Sequence, residues 1–152
     1  MKTNELINII INNTGLKNNK NIEKLKSILN KFIKYNLDLS WGLIVLRIYS
    51  INSVACYRLL EMVFNGLVQK IDVSWFLHSN FDFEQRAAIY FGLLANVDVS
   101  IYANLLFDAG QMRIIREGLK HNIDVSIFAD PKISANKMLE EFAKIINLKN
   151  KY

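Results

Sequence analysis

The feature that most constrains this 152-residue chain is a phrase that returns at a fixed interval. Asp72-Val73-Ser74, Asp98-Val99-Ser100 and Asp124-Val125-Ser126 recur every 26 residues. Placing the aspartates in register aligns IDVSWFLHSNFDFEQRAAIYFGLLAN, VDVSIYANLLFDAGQMRIIREGLKHN and IDVSIFADPKISANKMLEEFAKIINL without a gap. A fourth copy begins at Asp38, 34 residues before Asp72, and closes on the others with two insertions of four residues, one before Ile51 and one before Gly66. Four residues is close to one α-helical turn, so such an insertion lengthens a helix while its buried face stays in phase. Self-similarity at this period marks a repeat architecture, in which each unit buries its apolar face against its neighbours.

The repeated polar residues read as helix ends. In FDFEQ (81–85) and FDAGQ (107–111) an Asp is followed three residues on by Gln, a capping box in which each side chain satisfies a backbone N–H that the helix leaves free. Helices therefore start just after Asp82 and Asp108. The apolar residue before each cap faces the fourth helical position as a hydrophobic staple: Phe81 with the alkyl stem of Arg86, Phe107 with Met112, Ile133 with Met138, and Ile51 with Cys56. Asn96 and Asn122 tolerate the left-handed conformation that stops a helix, and Val97 or Ile123 follows to pack back. Asp98 and Asp124 then cap a second, shorter helix, so each unit is a short helix followed by a long one.

Gly66, Gly92 and Gly118 share one register inside the long helices, where each costs about 1 kcal/mol relative to alanine. Close approach of a neighbouring helix is the expected reason. The terminal units, which lack one such neighbour, carry Phe32 and Lys144 there, and the last unit places Glu140 and Glu141 where its predecessor has Ile114 and Ile115. A strand-plus-helix horseshoe competes, because V-D-V-S-I-Y alternates with period two, but its L-x-x-L-x-L-x-x-N pattern is absent. The expected fold is all-α, a short solenoid of helix-turn-helix units of about 26 residues. With 51% hydrophobic and 22% charged residues the chain reads as a single domain over 1–152. Within it, 1–36 form a basic N-terminal helical cap, 37–121 the repeat units and 122–152 a C-terminal capping unit.

The pattern D-V-S-x-(Tyr/Phe)-A, F-D-x-x-Q-M, I-x-x-G-L is carried by Asp98 to Ala103, Phe107 to Met112 and Ile115 to Leu119. It resembles the short tandem repeats of many proteins of anaerobic Gram-positive and related bacteria, phage and mobile-element products among them. The similarity is clearest over 70–130 and departs from the family pattern at Arg86 (Met), Leu77 (Ala) and Lys70 (a glycine-like stop). The resemblance implies a repeat scaffold without a shared active site, so it carries over no catalytic residue.

The residues themselves supply little chemistry. His78 and His121 occupy different registers and lack ligand spacing with Cys56 or a carboxylate pair, so no metal or other cofactor is expected. Asp72, Asp98 and Asp124 are accounted for as caps, and there is neither a glycine-rich phosphate loop nor a nucleophile signature. A non-enzymatic protein is expected. A single cysteine and the lack of a secretory pattern in MKTNELINIIINN point to the cytoplasm. The most apolar stretch, WGLIVL at 41–46, is far short of the roughly 20 residues that cross a bilayer, so no membrane partner is expected.

Two surfaces remain. The net charge of +5 lies wholly in residues 1–36, seven lysines against Glu5 and Glu23. In NKNIEKLKSILNKFIKY a helical period places Ile22, Leu25, Ile28, Leu29, Phe32 and Ile33 on one face and Lys20, Lys24, Lys31 and Lys34 on the other. That stripe is either a solvated face or a site for an anionic partner, with nucleic acid ahead of membrane because the segment lacks aromatic anchors. The second surface follows from variation: Tyr90, Phe91 and Leu94 share registers with Arg116, Glu117 and Lys120. Tyr90, Phe91, Arg113 and Arg116 would form neighbouring rungs of a partner-binding face, unless Tyr90 and Phe91 pack between units. The leading expectation is a protein-binding scaffold, in one specific form a phage or mobile-element inhibitor of a host system. A nucleic-acid-binding solenoid using the lysine face is the alternative. The helical reading predicts a far-UV circular dichroism spectrum dominated by α-helix; a strong strand signal would favour the horseshoe.

Overall fold

The computed structural model describes residues 3–50, 52–77 and 80–150, and among them every regular element is helical. Ile51 and His78 lie outside the described residues, and with Ile51 the staple expected to Cys56. The helices form two compact units, Met1–Val73 and Ser74–Tyr152.

The first unit holds α1 (Thr3–Asn13), α2 (Asn19–Lys34), α3 (Ser40–Ile48) and α4 (Val54–Val68). Asn18 starts α2 by accepting hydrogen bonds from the amides of Lys20 and Asn21. The apolar stripe of α2 is buried as its spacing requires at Leu25, Ile28, Leu29 and Phe32, whereas Ile22 and Ile33 at its edges are half-buried. Val45 of α3 and Leu59, Leu60 and Val63 of α4 complete the core.

The second unit holds α5 (Ser74–Leu77), α6 (Phe83–Leu94), a 3₁₀ turn (Val99–Ile101), α7 (Ala109–Lys120), a second 3₁₀ turn (Val125–Ile127) and α8 (Ala135–Lys149). Packing is sequential: α5 on α6, α6 on α7, α7 on α8, with each 3₁₀ turn against the long helix before it. Asp98 and Asp124 accept from the amide and hydroxyl of Ser100 and Ser126, so D-V-S does begin a short helix. Its length varies from nine residues in α3 to four in α5 and three in each 3₁₀ turn.

Both capping boxes are formed. Asp82 accepts from the Gln85 amide at 2.8 Å while the Gln85 side chain accepts from the Asp82 amide at 2.9 Å, and Asp108 and Gln111 repeat the exchange. Each glutamine then does a second thing. The Gln85 side-chain amide donates to the Phe107 carbonyl at 2.7 Å, and that of Gln111 donates to the carbonyls of Pro131 and Ile133. The start of one long helix is thereby bonded to the residues leading into the next. In α8 this register holds Lys137, which faces solvent and pairs with Glu140 and Glu141. In α4 the cap is Ser53, so the register falls on the buried Cys56. Despite that later start α4 has 15 residues against 12 in α6 and α7, because four residues are inserted before Gly66.

The helix stops are also repeated. Asn36, Lys70, Asn96 and Asn122 all take positive φ, and the amide of the following residue reaches back to the carbonyl of Phe32, Gly66, Gly92 and Gly118 at 2.8–3.1 Å. This is the Schellman closure. Lys70, which stands where the family pattern has a glycine-like stop, adopts it with φ 59°.

The glycine register has a cause different from the one the repeat pattern suggests. The close neighbour of Gly92 is the 3₁₀ turn that follows its own helix: a methyl there would overlap the Tyr102 hydroxyl and lie 3.0 Å from Val99 Cγ1. A methyl on Gly118 would meet Val125 Cγ1 at 2.6 Å and Phe128 Cζ at 3.1 Å. The D-V-S-x-(Tyr/Phe) phrase thus folds back onto the glycine ten residues before its aromatic ring, and Tyr102 donates to the Ala88 carbonyl there at 3.3 Å. The expectation that Phe32 marks a terminal unit without a neighbour fails, since Phe32 is completely buried. At the aromatic register ten residues on, this repeat has Gly42, so large and small residues are exchanged.

The sign of a glycine substitution should therefore depend on position. Gly92→Ala is expected to lose about 1–3 kcal/mol by overpacking. Gly42→Ala, whose methyl finds ordinary contacts at 3.5 Å and 3.8 Å, should gain up to about 1 kcal/mol of helix propensity. Adding Tyr102→Phe to Gly92→Ala should recover part of the loss. Urea titrations of the three variants decide the matter; equal effects of the two alanines would remove the close-approach argument.

Candidate interaction surfaces

On α6 the neighbours Tyr90 and Phe91 point to different environments. Tyr90 is 6% exposed, its ring edge-on to Phe76 at 5.6 Å, whereas Phe91 is 52% exposed. Of the four residues expected on a partner-binding face, Tyr90 therefore belongs to the core and supports Phe91 from beneath at 5.3 Å. From α7, the Arg116 guanidinium lies 5.8 Å from the centre of the Phe91 ring, so this pair does form adjoining rungs. Arg116 and Lys120 both bond Glu117, at 3.1 Å and 2.9 Å. Partial burial works to raise the Glu117 pKa, but these two cations outweigh it and hold the carboxyl below its ordinary value. Arg113 is exposed and returns its Nε–H to the Ala109 carbonyl at 3.2 Å.

Arg86 is the least expected residue of this unit. Its register was read as a staple position satisfied by the alkyl stem, yet the whole side chain is buried and the guanidinium donates to the Phe76 carbonyl. Charge at this point serves the fold.

In the first unit, Lys20, Lys24, Lys31 and Lys34 are all exposed along α2. Two of them reach across to α4: Lys24 Nζ lies 4.5 Å from the Tyr57 ring centre and Lys31 Nζ 5.8 Å from that of Phe64. Both pairs advance by seven residues in the same sense, so α2 and α4 run parallel. Tyr35, just past α2, stands edge-on to Phe64 at 5.4 Å with 53% of its surface exposed. The lysine stripe is therefore bordered by aromatic rings, contrary to the reading of the segment as lacking them. The matching seven-residue spacing of Lys24 and Lys31 with Tyr57 and Phe64 is the signal that would have shown it. A groove of about 690 Å³ opens elsewhere in this unit, floored by Leu6, Ile9, Leu43 and Leu46, with Arg47 as the only charged residue among the described ones that line it.

Among the described residues no three His, Cys, Asp or Glu side chains come together to hold a metal ion. Burial pushes the Cys56 thiol up to about 11, which removes it as a nucleophile near neutral pH. His121 is exposed at the end of α7, where its ring lies 6.0 Å from Phe142. No described helix is long and apolar enough to cross a membrane. The chain matches no protein-family model, no curated protein and no solved structure. What the described residues define is an all-α protein of repeated short and long helices.

The split between Tyr90 and Phe91 is measurable. Tyr90→Ala should cost about 3 kcal/mol or more, as for a buried aromatic ring, while Phe91→Ala should stay within about 1 kcal/mol. Chemical denaturation of both variants checks this, and comparable losses would place Phe91 in the core as well.

Proposed function

We propose that the chain is a non-enzymatic helical repeat scaffold that binds a protein partner through the face carrying Phe91, Arg113 and Arg116. The observation that carries this reading is the state of Phe91. Its ring is half exposed, yet it is held between the buried Tyr90 ring and the Arg116 guanidinium. An aromatic side chain fixed before its partner arrives loses little conformational freedom on binding, and aromatic residues beside arginine are enriched among residues that dominate interface energies. Further support comes from the repeat itself. The fourth position of D-V-S-x is Trp75, Ile101 and Ile127, each an apolar residue that stays 39–61% exposed. Single exposed apolar residues are ordinary; one kept at the same register is less so.

In the form that the sequence resemblance suggests, the partner belongs to a host system targeted by a phage or mobile element. A free, buried cysteine and the lack of a membrane-crossing helix among the described residues favour action in the cytoplasm. The absence of a metal cluster or an activated nucleophile among those residues supports a binding role over catalysis.

Capture from native cytosol tests the reading by its dependence on this face. A partner retained by the wild-type protein after nuclease treatment should be lost with Phe91→Ser plus Arg116→Gln. It should be kept when Lys20, Lys24, Lys31 and Lys34 become glutamine. With circular dichroism showing both variants folded, the opposite pattern would exclude the α6–α7 face.

A further inference from the structure

Four of the five lysines of α2 are left without a carboxylate partner among the described residues. In the Ser74–Tyr152 unit, Lys120, Lys137 and Lys144 each meet a glutamate three residues away at 2.9 Å. In α2 only Lys26 does so, with Glu23 at 3.1 Å. Lys20, Lys24, Lys31 and Lys34 make no ion pair among the described residues, although residues 1–36 hold the entire net charge of the chain. Solubility alone does not require the excess to be gathered on one helix face beside aromatic rings.

We propose that the Met1–Val73 unit binds single-stranded nucleic acid along the seam between α2 and α4. Phosphates lie against Lys20, Lys24, Lys31 and Lys34, and unpaired bases stack on Tyr35 and the open part of Phe64. The proposal concerns a different unit from the protein-binding face and does not rest on it.

Three observations favour this ligand over other anions. Length is the first: at 1.5 Å per residue, Lys20 to Lys34 covers about 21 Å, which suits a row of phosphates better than one compact anion. The second is the company of the charges. Tyr35 is half exposed, Phe64 is half-buried, and each lies beside a lysine of the stripe or the ring it covers. A cationic track bordered by aromatic platforms is how proteins hold single strands without reading sequence, since every base offers a π-face. Duplex nucleic acid keeps those faces stacked inside and would leave Tyr35 unused. Third, the stripe is one helix wide and follows a single row, as one backbone does.

Two carboxylates oppose the ligand. Glu23 is exposed on α2 itself and pairs with Lys26. Glu61 lies on α4 between Tyr57 and Phe64, four residues beyond the first and three before the second, and is exposed, so its removal should strengthen binding.

Fluorescence anisotropy of the full chain provides the test, using a short labelled oligothymidylate, an oligouridylate and a duplex of matching length. Inorganic polyphosphate and phosphatidylserine vesicles serve as other anionic partners. Single strands should bind with a log–log salt slope of about −2 to −3, from about −0.7 for each of four lysines. Changing Lys20, Lys24, Lys31 and Lys34 to glutamine should abolish that binding. Tyr35→Leu should weaken it about tenfold through loss of a stacking surface and leave polyphosphate binding unchanged. Glu61→Gln should strengthen it by about twofold or more through loss of a repelling charge. All substituted side chains are exposed, and a melting curve for each variant confirms that it folds. No binding at low salt, no effect of the lysine changes, or duplex, polyphosphate or vesicles held as tightly as single strands would each overturn the proposal.

Discussion

The repeat unit depends on a buried glutamine. Gln85 and Gln111 are nearly inaccessible, and each closes its own capping box while donating to a carbonyl about 22 residues ahead. An amide at this position satisfies one backbone N–H that its helix cannot and one backbone oxygen that the next repeat cannot. Substituting it by an apolar residue leaves both groups unpaired, and a buried unpaired polar group costs about 1–3 kcal/mol. Apolar packing would tolerate a small slide between neighbouring long helices; the double hydrogen bond does not. Where Cys56 takes the register, no such bridge can be made, and that repeat is the one that carries the two four-residue insertions. Constancy of period and presence of the glutamine go together.

The glycine register adds a second constraint, on distance instead of alignment. Tyr102 and Phe128 lie so close over Gly92 and Gly118 that a methyl group has no room. The aromatic ring, the glycine and the Schellman carbonyl of that same glycine belong to one turn of chain. Helix end, 3₁₀ turn and core are therefore set together, which explains why the phrase D-V-S is copied with its flanking residues and not by itself.

What was legible in the sequence is what is local. Asp82 with Gln85, Asp108 with Gln111, and the left-handed Asn96 and Asn122 act over three to five residues, and those helix boundaries follow directly from them. Lys70 was not legible, because the backbone bond from Ile71 to Gly66 imposes its positive φ without help from its side chain. The second role of the glutamines was missed because their acceptors lie in the following repeat. Comparison of registers marked Tyr90 and Phe91 alike as variable, yet adjacent helical residues point about 100° apart and only one of them is outside. Arg86 shows the converse: a charged residue at an apolar register reads as a departure, while its destination, the Phe76 carbonyl, is a matter of tertiary geometry. The lysine stripe was visible as a pattern of α2, which Tyr35 follows directly, whereas Tyr57 and Phe64 were not linked to it because they come from α4.

The short reach of these bonds bears on how the Ser74–Tyr152 unit comes into being. Its tying interactions span ten residues from Gly92 to Tyr102, 14 from Ala88 to Tyr102 and 22 from Gln85 to Phe107. Each is a small loop to close, so contact order is low and no distant partner segment must be awaited. Folding then proceeds by accretion, one repeat offering a finished edge to the next, and synthesis from the ribosome presents the repeats in that same order. By the same logic α8, packed on α7 and held through Gln111 and by Lys149 on the His121 and Asn122 carbonyls, adds to an edge that the caps of α6 and α7 have already closed.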